Sequence, residues 1–210
     1  MWDEAIPLPG TAAEAYLRAR CVWEALAAYP VPDCGPQLRF HPRAKHPEAE
    51  GVFPALLALV RRVEDGDAVA IHRTYLRSDG CGKAAVEPAK ATLGPVAGGA
   101  IMLHASAGTA PLVVAEGIET ALSASLVLGG PAWAAVSAGN LERLPLPATA
   151  STVILAADAD APGQRAAYAA AKRLEAEGRR VRVAIPDIVG GDFNDLLCRR
   201  SASMAEVSHG

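Results

Sequence analysis

From about residue 110 the chain alternates short apolar runs with amphipathic stretches, and this pattern leaves few folds open. PLVVA, PAWAAV, STVILAA and RVRVAI read as buried strands; EGIETALSASLVLG, GNLERLPL and DADAPGQRAAYAAAKRLEAEG read as the helices between them. Parallel strands cannot be joined by tight turns, so strands alternating with helices predict a parallel sheet covered by its crossovers. The last of these helices carries Ala166, Ala167, Ala170, Ala171 and Leu174 on one stripe. Alanine makes up 45 of the 210 residues and aromatics only 5%, so the core is built from close helix–sheet contacts rather than large rings.

Upstream the pattern differs. Residues 11–29 open on Thr11 with Glu14 three positions on, a capped helix with a break near Cys21. Residues 30–50 hold Pro30, Pro32, Pro36, Pro42 and Pro47 and read as an irregular connector. Between Phe53 and Leu103, β-prone runs punctuated by Asp65-Gly66 and Asp79-Gly80 predict a small antiparallel sheet, with helix an open alternative for residues 54–62. The expected organisation is an α+β subdomain over residues 1–105, an α/β domain over 110–200 and a tail over 201–210.

Composition narrows the function classes. Twenty basic residues against 23 acidic ones, a net charge of −3, exclude a nucleic-acid argument from bulk electrostatics. No apolar run approaches the roughly 18 residues of a membrane span, and MWDEAIPLPG has no signal-peptide character, which predicts a cytoplasmic protein without a membrane partner. Cys21, Cys34, Cys81 and Cys198 are scattered with no C-x-x-C pair; they read as structural thiols rather than a zinc site.

The acids at the strand ends carry the chemistry. Glu116 follows PLVVA, Asp158 and Asp160 follow STVILAA, and Asp192 and Asp195 follow the last strand. Parallel strands end on one edge, so these carboxylates should converge at the C-terminal rim, where open α/β sheets place their ligands. Carboxylates gathered there repel one another unless divalent cations neutralise them, and hard oxygen donors favour Mg²⁺ or Mn²⁺. Helix capping accounts for one aspartate of Asp158-Ala159-Asp160 but not both. Glu119 lies in the first turn of its helix and reads as an acid placed favourably at a helix N-terminus.

These residues resemble the Toprim domain shared by bacterial DnaG-type primases, topoisomerases and some nucleases. VVAEGIETAL is similar to its glutamate motif, ILAADADAPGQRAA to its Asp-x-Asp motif and GGDFNDLL to its final acidic motif, in the family's order over residues 110–200. The resemblance implies a Rossmann-like parallel sheet with helices on both faces. It makes Glu116 a catalytic acid/base or metal ligand, Asp158 and Asp160 catalytic metal ligands, and Asp192 and Asp195 supports for a second ion; primases often carry Asp where Asn194 stands. FPALLALVRRVEDGDAVAIHRTYL and KATLGPVAGGAIML are similar, more distantly, to the segments that precede this unit in primase cores. That likeness makes Arg73, Lys83 and Lys90 candidates for binding nucleotide or template phosphates.

The implied activity is metal-dependent nucleotidyl transfer, with two Mg²⁺ or Mn²⁺ ions and no zinc: primer synthesis on single-stranded DNA from nucleoside triphosphates. The chain also resembles Toprim proteins of phages and mobile elements, which implies a helicase or a zinc-ribbon template-binding protein as partner. A Toprim nuclease and a non-catalytic nucleic-acid or nucleotide-binding module are the alternatives. A topoisomerase fits less well, because Tyr16, Tyr29, Tyr75 and Tyr168 have no DNA-breakage domain around them.

Overall fold

The computed structural model describes residues 1–106, 109–188 and 191–207, with side chains through residue 200. Helix α1 (Ala12–Ala19) and a 3₁₀ turn (Glu24–Ala27) precede five strands, β1 (Leu38–Lys45), β2 (Val52–Arg62), β3 (Ala68–Tyr75), β4 (Lys90–Leu93) and β5 (Gly99–Met102). The α/β alternation then runs β6 (Leu112–Ala115), α2 (Ile118–Leu128), β7 (Ala132–Ala134), α3 (Ala138–Leu141), β8 (Thr152–Ala156), α4 (Ala161–Ala176), β9 (Arg180–Ala184) and α5 (Phe193–Val207). Thr11 caps α1 by accepting from the Ala13 amide, and the chain leaves that helix through Cys21, whose φ is +57°.

All the strands join one sheet in the order β4-β3-β2-β5-β7-β6-β8-β9, with β1 paired to β2 beside this path. β7, β6, β8 and β9 are mutually parallel, whereas β1 to β5 pair antiparallel. Alternation along the parallel strands builds two cores. Val113 and Ala115 face α2 and Phe193 of α5, while Leu112 and Val114 face α3 and α4. The alanine stripe of α4 is buried as expected, and its small side chains let the helix lie close to the sheet.

One expectation is corrected and one open alternative is closed. The proline-rich connector contains β1: Pro42 falls where the β1–β2 register shifts between His41 and Ala44, a bulge that dispenses with the amide proline lacks. Residues 54–62 are strand, not helix. Leu56, Ala58 and Val60 enter one core while Ala55 and Leu57 enter another, so both faces are apolar and periodicity carries no strand signal.

The two halves meet at β5, which pairs with β2 through Arg61 and Arg62 and with β7 through Ile101↔Ala134 and Met102↔Trp133. Buried Asn140 secures this joint. Its Nδ2 donates to the carbonyls of Gly99 and Ala135, both at 2.8 Å, and its Oδ1 accepts from the Gly98 amide at 3.1 Å. Asn140→Ala strands buried backbone groups, with an expected cost of about 2 kcal/mol in urea unfolding. An unchanged midpoint would show that the joint does not depend on this side chain.

Candidate functional site

Ala115 pairs with Ala156, so β6 and β8 end side by side and deliver Glu116 and Asp158 to the same edge. The loop before α5 is stitched to them by the Ala159 amide, which donates to the Gly191 carbonyl at 2.9 Å, and this brings in Asp192. Glu116, Asp158 and Asp192 line one cleft of ≈ 230 Å³. Its opposite wall comes from the N-terminal half: Arg20 at the end of α1, His72 on β3, Lys83 in the turn before β4, and Lys90 at the start of β4. Val136, a β-branched residue held at φ +74°, also lines it.

The electrostatics divide the cleft. Burial raises the Glu116 carboxyl above the ordinary glutamate range, and the Asp158 and Asp160 charges raise it further. Burial and the Asp192 charge raise Asp158 in the same way, against a hydrogen bond from Thr120 Oγ1 at 3.2 Å. The deeper end is a closed polar cluster around Glu119. This carboxylate accepts from the Tyr16 hydroxyl at 2.5 Å and pairs with Lys90 Nζ at 3.0 Å and Lys83 Nζ at 3.8 Å. Burial alone would push Glu119 up; the two lysine charges and the tyrosine overcome it and hold the carboxyl at about 2. Two lysines share one carboxylate, so a net positive charge remains beside Arg20, whose buried Nε has no hydrogen-bond partner among the described residues. Burial and the Lys90 charge lower His72 to about 4, which leaves its ring neutral at pH 7, with Nδ1 against Thr92 Oγ1 at 3.0 Å.

Comparison with known proteins follows this division of the chain. Residues 1–103 match a family described as a domain of unknown function (DUF7146), and residues 111–203 match the Toprim domain. The chain carries a Toprim domain. Its fold is similar to the primase fragment of the bacteriophage T7 primase-helicase protein (TM-score 0.54, 19% identity), with 82% of this chain and 65% of that one covered. It is also similar to a DNA primase domain from Pseudomonas aeruginosa (TM-score 0.51, 16% identity), with 80% of this chain and 55% of that one covered. The chain thus spans less than two thirds of either structure. No curated protein matches it.

Within the Toprim domain the five acids take different places. Glu116, Asp158 and Asp192 line the cleft; Asp160 is exposed at its edge and caps α4, accepting from the Gly163 amide at 2.7 Å. Asp195 is exposed, is not part of the cleft lining, and forms a reciprocal cap with Asp192: the Asp195 amide donates to Asp192 Oδ1 at 2.8 Å and the Asp192 amide to Asp195 Oδ2 at 3.3 Å. Among the described residues, no three histidine, cysteine or acidic groups form a ready metal-binding set. The donors still suit a hard cation in their chemistry, since Glu116 and Asp158 are carboxylates whose proton affinity is raised by burial and by neighbouring acidic charges. Asn194 is buried and structural, donating to the Arg20 carbonyl and to Ser123 Oγ.

Of the three basic candidates, Lys83 and Lys90 line the cleft and Arg73 does not. β3 alternates, so His72 and Thr74 share a face with Thr92 and Lys90, their partners on β4, and Arg73 points the other way. Arg73 is buried against the Tyr75 ring, 5.7 Å from its centroid, and donates to the Lys45 carbonyl at 3.1 Å. Sequence reading missed Arg20 and the burial of Glu119. Nothing local separates Arg20 from Arg18, which pairs with Glu14 and Glu24 on the surface. Glu119 sits in the first helical turn as expected, but it is 5% exposed, and its partners come from distant segments.

Proposed function

We propose that this cleft carries out metal-dependent nucleotidyl transfer, joining nucleoside triphosphates into a primer on single-stranded DNA. The observation that carries the reading is the facing of Glu116, Asp158 and Asp192 across one cleft from Arg20, Lys83 and Lys90. Likeness in fold to two primase structures supports it. Glu116 and Asp158, with Asp160 and Asp192 beside them, would hold Mg²⁺ or Mn²⁺, which supplies charge stabilisation for phosphoryl transfer when bound. Asp195 contributes by fixing Asp192 rather than as a ligand.

The chain's own residues divide the remaining work. Arg20, Lys83 and Lys90 hold the triphosphate oxygens, where a positive wall offsets the charge that grows as pyrophosphate leaves. Glu116, which lines the cleft, accepts the proton from the 3′-hydroxyl that attacks the α-phosphorus. Neutral His72 and Val136 complete the lining of the cleft that the nucleotide would enter. With a net charge of −3 the chain has little affinity for template of its own, so a template-gripping partner, a helicase or zinc-ribbon protein, belongs to the proposal.

The test incubates the protein with single-stranded DNA, NTPs or dNTPs, and Mg²⁺ or Mn²⁺, and follows extension and cleavage together. Short extension products abolished by a chelator are expected. Metal-dependent cleavage without extension would replace this reading with a Toprim nuclease, and neither activity would leave a binding module.

A further inference from the structure

Two of the four scattered cysteines meet. Cys21 follows the end of α1 and Cys198 lies on α5, near enough for the Cys21 thiol to act on that of Cys198. Asn194, one turn before Cys198 on the same helix, clamps the two segments together: its Nδ2 donates to the Arg20 carbonyl at 2.5 Å, and its Oδ1 lies 4.0 Å from Cys198 Sγ. Leu17 and Val22, which flank Cys21, share a core with Phe193, and Leu197 packs against it. Both thiols keep partial access to solvent. Cys21 also occupies a left-handed position just past a helix end, φ +57°, where glycine would sit without steric cost.

We propose that Cys21 and Cys198 form a reversible dithiol–disulfide pair, which on oxidation by a small-molecule disulfide ties the end of α1 to α5. The Cys21 thiolate attacks the oxidant RSSR, releasing one RS⁻ and leaving Cys21–S–SR. The Cys198 thiolate then attacks Cys21 Sγ and releases the second RS⁻. Two electrons pass from the cysteines to the oxidant, and the two thiol protons end on the released thiolates as 2 RSH. Burial and the neighbouring Cys21 push the Cys198 thiol up to about 11, so its thiolate is scarce at neutral pH and the second, intramolecular step is the slow one. The bond lies at the wall of the cleft: Arg20 precedes Cys21, and Asp192 caps the helix that carries Cys198. Oxidation therefore fixes the spacing between one cationic and one acidic side of the site, whatever reaction that site performs.

The full chain, treated with oxidised glutathione, blocked with an alkylating agent and digested, should yield a Cys21–Cys198 linked peptide that dithiothreitol abolishes. The same bond should form in a Cys34→Ser/Cys81→Ser variant, whose two replaced thiols are exposed, and should raise its Tm by about 5 °C over the reduced form. Recovery of Cys21 and Cys198 as separately alkylated or singly glutathionylated peptides from folded protein would overturn the proposal. So would linkage of either one to Cys34 or Cys81.

Discussion

Glu119→Gln is expected to lose about 3 kcal/mol of stability at pH 7 and to flatten the acid side of the stability curve. The folded carboxyl sits at about 2 against an ordinary value of 4.5, a difference worth about 3 kcal/mol by linkage. Because the folded value is depressed, that stability is fully present above pH 4.5 and disappears as the pH falls from there through 2. Glutamine keeps the shape and can still accept from Tyr16, but it leaves the Lys83 and Lys90 charges facing each other without their anion. The three elements that meet at Glu119, namely α1 through Tyr16, β4 through Lys90 and α2 through Glu119 itself, then lose their common tie. Urea unfolding of wild type and variant at pH 7, 5 and 3 checks this. The two should converge toward pH 3; parallel curves would show that the cluster contributes no charge-dependent stability.

Asp158→Ala should separate stability from activity. Loss of nucleotide incorporation by about 10³-fold is expected, the several kcal/mol that divalent charge stabilisation supplies to phosphoryl transfer. The fold should not suffer. Asp158 is held above its ordinary proton affinity by burial and by its acidic neighbours, so at neutral pH its ionised form is a cost to the folded state rather than a support. In metal-free buffer the variant should therefore melt at or above the wild-type Tm, even though the Thr120 hydrogen bond is lost. Adding millimolar Mg²⁺ should raise the wild-type Tm and leave the variant unmoved, because only a protein that binds the ion in its folded state gains from it. Full incorporation by the variant, or an equal Mg²⁺ response in both, would remove Asp158 from the metal site.

What could be read along the chain was what depends on neighbours in sequence. The α/β alternation after residue 110 is visible because helices and strands with one dominant face repeat at 3.6 and 2 residues, and the α4 alanine stripe is the clearest case. Acids at strand ends were legible for the same reason: parallel strands send their C-termini to one edge whatever the details. Periodicity was silent over β2, where both faces are buried. The proline count misled over β1, because a bulge and an edge position absorb Pro42.

Local pattern alone specifies a helix-covered parallel sheet with Glu116, Asp158, Asp160, Asp192 and Asp195 near one rim. Which of these face the cleft depends on long-range packing. It turned Asp195 to capping, sent Arg73 to the far face of β3, brought Arg20 to the wall and buried Glu119 between two lysines. The physical reason is one of range. A strand's direction follows from local pattern, whereas a charged side chain is assigned by the partners that compensate its desolvation, and for Glu119 those partners arrive from segments far away in sequence.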